Sequence, residues 1–146
     1  MRKEFRPSAV PPFRTLDPEL AVAERLLGDR PLSTVAAELP DEPAATRALN
    51  ALLANLGASP RLRDAGGTWR ITHVDRHDAT GDLVAAATGL AALVAVDGWR
   101  RVKHCETCAV PYLDRTNGRT RRWCTPHRAK LSTGKINTTG SVGPRR

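Results

Sequence analysis

Cys105-Glu106-Thr107-Cys108, followed after fifteen residues by Cys124-Thr125-Pro126-His127, decides how the carboxyl-terminal third of this chain folds. Two short-spaced ligand pairs read as metal knuckles. Each tight turn offers two donors to one ion, and the link between the turns lets the pairs complete a tetrahedron. All three cysteines of the chain fall in this stretch. An odd, low number does not suit a disulfide scaffold, so free thiols in a reducing cytoplasm are expected. Between the pairs the main apolar candidates are Val110, Tyr112, Leu113 and Trp123, too few to make a core. A metal would then supply much of the folding free energy, on the order of 10–16 kcal/mol in small zinc modules. The expected cofactor is one structural Zn²⁺ held by Cys105, Cys108, Cys124 and His127. His104 is a rival fourth ligand, disfavoured because neighbours in sequence rarely both reach one ion. Four protein ligands close such a site, whereas catalytic zinc keeps a position open.

Charge isolates the same region. The 146-residue chain has a net charge of +8, but residues 1–99 carry 11 Lys and Arg against 13 Asp and Glu, and residues 100–146 carry 12 against 2. A basic end on a neutral body is the pattern of a polyanion-binding module. The candidate contacts are Arg115, Arg119, Arg121, Arg122, Arg128 and Lys130. The planar fork of arginine suits phosphates and guanine edges. Six phosphate contacts on duplex DNA would give a log–log salt slope of about −5.

Toward the amino terminus the pattern is a helical body with one hairpin. Residues 1–14, with three prolines and no periodicity, read as a flexible arm. Asp17-Pro18-Glu19 resembles a helix start, with Asp17 at N-cap. A short helix over Ser33–Leu39 is expected to stop before Pro40. Asp41-Glu42-Pro43 opens another, ending at Gly57, whose Leu49, Leu52, Leu53 and Leu56 share one face. Arg61–Arg63 and Trp69–Val74, separated by Asp64-Ala-Gly-Gly67, predict a β-hairpin. Asp78 or Thr80 could cap a further helix over Asp82–Val96, with Leu83, Ala87, Leu90 and Val94 on one face. Trp99 to Lys103 should be extended. The division expected is an arm (1–14), an α+β body that is mostly helical (15–99), a zinc-finger module (100–131) and a disordered basic tail (132–146). No apolar run reaches the ~18 residues of a membrane span, and no apolar region follows the charged amino terminus as a signal peptide would require.

Beyond the metal spacing, Tyr112-Leu113-Asp114-Arg115-Thr116-Asn117, Arg121-Arg122-Trp123-Cys124 and Arg128-Ala129-Lys130 resemble the CGNR zinc finger. The Cys-Gly-Asn-Arg tetrapeptide itself is absent, and His127 stands nearest the place of the family's fourth Cys. The order of elements from residue 42 onward resembles the helical ABATE domain that precedes such fingers. The resemblance implies that Cys105, Cys108 and Cys124 are ligands, and that the protein is a stress-induced transcription regulator.

Together these readings favour a DNA-binding transcriptional regulator in the cytoplasm whose finger contacts duplex DNA, with no membrane partner. The body would sense a small-molecule effector or mediate homodimerisation. A zinc-ribbon adaptor that binds another protein, or an RNA-binding protein, is the alternative. No enzyme is expected. The chain has no paired-carboxylate cluster, Gly-rich phosphate loop or Ser/His/Asp pattern, and His73, His77, Asp75 and Asp78 read as surface polarity.

Overall fold

The computed structural model describes residues 15–128. The expected arm and basic tail, and Lys130, lie outside the described residues. Four helices and two antiparallel strand pairs follow in order: α1 (Glu19–Leu26), α2 (Leu32–Ala36), α3 (Glu42–Leu56), β1 (Ser59–Asp64), β2 (Trp69–Val74), α4 (Asp82–Asp97), β3 (Val102–His104) and β4 (Pro111–Leu113). This is the mixed α and β architecture expected from the sequence, with a Cys/His cluster at its carboxyl-terminal end.

α3 begins and ends as its sequence dictates. The Asp41 carboxylate accepts from the Ala44 N–H, Pro43 sits in the first turn, and Gly57 closes the helix at φ 65°. Only glycine adopts that conformation without a steric cost. Its Leu49 is buried, while Leu52, Leu53 and Leu56 are half-buried against the same core.

α1 differs from expectation. Pro18 occupies the N-cap position with no side-chain cap, and the Asp17 carboxylate is engaged by Arg115 instead. The cap of α4 is Gly81 rather than Asp78 or Thr80. Asp78 pairs with Arg61. α4 is the central element and is buried on more than one side: Val84, Ala86, Ala87, Thr88, Gly89, Leu90 and Leu93 are all buried. α1 crosses it at Gly89. A Cβ there would lie 2.6 Å from the Glu19 carbonyl carbon and oxygen, so a side chain would force the helices apart.

One core joins the helices to the strands that begin the finger. Leu20, Ala23, Leu27, Leu32, Leu90 and Leu93 pack with Trp99, Val102 of β3 and Leu113 of β4. The Trp99 indole N–H donates to Thr46 Oγ1 at 3.0 Å, so the ring is fixed against α3. β3 and β4 pair in the register Val102 with Leu113 and His104 with Pro111. The finger therefore grows from a hairpin whose root belongs to the main core. Among the described residues no helix is long and apolar enough to cross a membrane.

Candidate metal centre

The first knuckle follows β3 directly. The Cys105 N–H donates to Val110 O at 2.9 Å and the Ala109 N–H returns to Cys105 O at 2.8 Å, curling residues 105–109 into a tight turn. Ala109 takes a left-handed backbone, φ 63°, to close it. The second knuckle opens a helical turn at residues 125–128, where the Arg128 N–H donates to Cys124 O. Glu106 N–H donates to Arg122 O at 3.1 Å and sews the knuckles together.

These turns bring Cys105, Cys108, Cys124 and His127 into one cluster, with all four donor atoms within 4.8 Å of one another. The separations suit a tetrahedral ion. With Zn–S near 2.3 Å and Zn–N near 2.05 Å, tetrahedral edges come to about 3.8 Å for S···S and about 3.6 Å for S···N. Cys108 Sγ and Cys124 Sγ are 3.8 Å apart. Cys105 Sγ lies 3.6 Å from His127 Nδ1. The third edge, Cys124 Sγ to His127 Nδ1, is shorter at 3.1 Å. No pair is disulfide-bonded. The donor set of three sulfurs and one imidazole is a zinc set, and the imidazole would bind through Nδ1. His104 is exposed. It lines a groove with Leu39, Pro40, Glu42 and Arg100, outside the cluster.

The environment prepares the thiols unequally. Burial pushes the Cys105 thiol up, but the N–H groups of Cys124, Cys108 and Thr107 outweigh it and bring the group down to about 6. Burial dominates at Cys124 and raises it.

A second network supports the first. Asp114, fully buried, accepts from Lys103 Nζ at 2.7 Å, from the Thr116 N–H at 2.9 Å, from the Thr116 hydroxyl and from the Arg121 N–H at 3.1 Å. Burial would raise its carboxyl, yet the Lys103 and Thr116 hydrogen bonds hold it below the ordinary 3.8. Lys103 also donates to the carbonyls of Arg119 and Arg121, and Tyr112 Oη donates to Arg121 O at 2.7 Å. The Tyr112 phenol, desolvated and beside Asp114, is pushed up to about 12. Lys103 lies two residues before Cys105 and Arg121 three before Cys124, so this network sets the distance between the ligand-bearing segments. Buried Arg101 extends it to the body, bonding Asp97 of α4 and the carbonyls of Asp114 and Thr116. Lys103 and Arg101 carried no motif in the sequence; a lone cation on a three-residue strand gives no signal until its carboxylate is placed.

The basic residues separate into two groups. Arg115 forms a two-pronged pair with Asp17 and reaches Glu24, and so clamps the finger to the body. Arg121 bonds Trp123 O and Thr125 Oγ1 and stacks on Tyr112 at 4.8 Å. Arg122 is exposed but paired with Glu106, and it lies over the Trp123 ring. Arg119 and Arg128 are exposed.

Comparison with known proteins supports the metal reading. Residues 101–132 match the model of the CGNR zinc finger family. The matched segment runs from the Arg101 strap past both knuckles and contains all four donors. No curated protein matches the chain. The module is thus similar to a zinc finger, with Cys105, Cys108, Cys124 and His127 placed to hold one zinc ion.

Proposed function

We propose that this protein is a DNA-binding regulator of transcription, without catalytic activity, acting in the cytoplasm and reading duplex DNA through the zinc-held finger. What carries the proposal is the exposed pair Arg119 and Arg128 on a scaffold fixed by the metal cluster and by Asp114. With them go Arg122, whose surface pair with Glu106 is weak enough for a phosphate to replace, and Lys130. A bound metal would fix the backbone beneath Arg119, Arg122 and Arg128, so less freedom is lost on binding. Arg115 and Arg121, engaged in holding the finger, serve positioning rather than contact. The body would carry any effector response.

A salt titration of binding to labelled duplex DNA tests this reading. Four phosphate contacts imply a log–log slope of about −3.6. Arg119→Gln and Arg128→Gln should each reduce the slope magnitude by about 1 while unfolding stays unchanged. Binding that is absent at low salt, or unaffected by both substitutions, refutes it. A parallel titration with RNA distinguishes the nucleic acid.

A further inference from the structure

The hairpin β1–β2 leaves one of its faces uncovered. Opposite and alternate residues of an antiparallel pair share a face. The register Pro60 with His73, Leu62 with Ile71 and Asp64 with Trp69 therefore gathers these six on one side. The other side carries Arg63, bonded to Thr72, and Arg70, bonded to Asp17 O and Glu19, so it faces the body. On the free side Leu62 is 70% exposed, Trp69 73% and Ile71 61%. An apolar patch of this kind marks an interaction site.

We infer that this face is the contact between two copies of the chain, stacked face to face about a two-fold axis near the Leu62–Ile71 pair, with each Trp69 entering a cavity of the other copy. Two observations converge on that occupant. The first is shape. In a face-to-face stack with the hairpins running oppositely each strand lies over its own copy, so Trp69 at the turn meets the partner copy's His73 at the base. Beside the His73 end lies a cavity of about 350 Å³ lined by Leu16, Ile71, Gly89 and Ala92 and by the Glu19–Arg70 ion pair. The opposed stack delivers the other copy's Trp69 to that mouth, an aromatic anchor beside apolar wall residues and the Arg70 guanidinium. The second is area. The exposed parts of Leu62, Trp69 and Ile71 amount to about 400 Å² per copy on the usual size of such side chains, about 800 Å² for the pair, to which the exposed Pro60 and Asp64 add at the rim, toward the about 1,200 Å² of a small specific interface. Edge-to-edge pairing through β1 is disfavoured, because Pro60 has no N–H to donate.

Sedimentation equilibrium of the full-length protein over a concentration series tests the inference. The wild-type chain should be a dimer at micromolar concentration. Leu62→Glu and Trp69→Ala should each raise the dimer dissociation constant at least tenfold, with helical circular dichroism unchanged because both side chains are exposed. A monomeric wild type, or a dimer indifferent to Leu62→Glu and Trp69→Ala, overturns the inference. None of these readouts involves nucleic acid, so they stand apart from the DNA titration.

Discussion

Replacing Asp114 by Ala removes the buried carboxylate that four hydrogen bonds converge upon. The substitution leaves the Lys103 ammonium, 27% exposed, without its counter-charge, and strands the Thr116 and Arg121 N–H groups. Breaking a buried ion pair costs about 3–5 kcal/mol. Because water reaches part of Lys103, the lower end applies, about 3 kcal/mol. For a chain of this size that is a fall in melting temperature of about 10 °C. Zinc affinity should fall about 10–100-fold as well, since the network spaces the two knuckles. Thermal unfolding of the zinc-loaded protein, followed by far-ultraviolet circular dichroism, measures the first; competition with a chromophoric chelator measures the second. The double variant Lys103→Met/Asp114→Leu should recover only the part of the loss due to the unpaired ammonium, because the Thr116 and Arg121 N–H groups still lack their acceptor. An Asp114→Ala protein melting within about 2 °C of wild type, with unchanged zinc affinity, would refute the argument.

Other expectations follow from neighbouring contacts. Gly89→Ala should destabilise by about 2–3 kcal/mol in chemical denaturation, since its Cβ meets the Glu19 carbonyl at 2.6 Å; an unchanged midpoint would mean α1 moves freely over α4. The Arg115–Asp17 pair holds the Asp17 carboxyl below its ordinary 3.8, chiefly through the Arg115 hydrogen bonds, against desolvation. Its contribution is therefore complete above that value and lost as pH falls through the lowered folded-state value. Arg115→Gln should cost at most about 1 kcal/mol at neutral pH, and the difference from wild type should vanish in acid unfolding titrations.

Particular residues show where sequence sufficed. The metal cluster was legible because its information is local: two donor pairs, each within four residues, need only a link able to bring them together. α3 was legible for the same reason, with Asp41 and Gly57 marking its ends. The start of α1 misled because Asp17, a good local cap, makes a better bond with Arg115, 98 residues away. The strand β4 was missed because Pro111-Tyr112-Leu113 is too short to show alternation; it exists through pairing with β3 and burial of Leu113. α4 gave only one expected face, while a central helix packed on several sides presents no single stripe. The basic cluster was visible as charge, but which arginines hold the finger together depended on carbonyls and carboxylates that only the fold brings near.

The most direct test of the account is metal content, measured by native mass spectrometry of the purified protein alongside Cys124→Ser, His127→Ala and His104→Ala. One zinc per chain in the wild type, lost in Cys124→Ser, weakened in His127→Ala and retained in His104→Ala, is the expected result. A metal-free wild type, or zinc that survives His127→Ala but leaves with His104→Ala, would contradict the four-donor centre on which the finger is built.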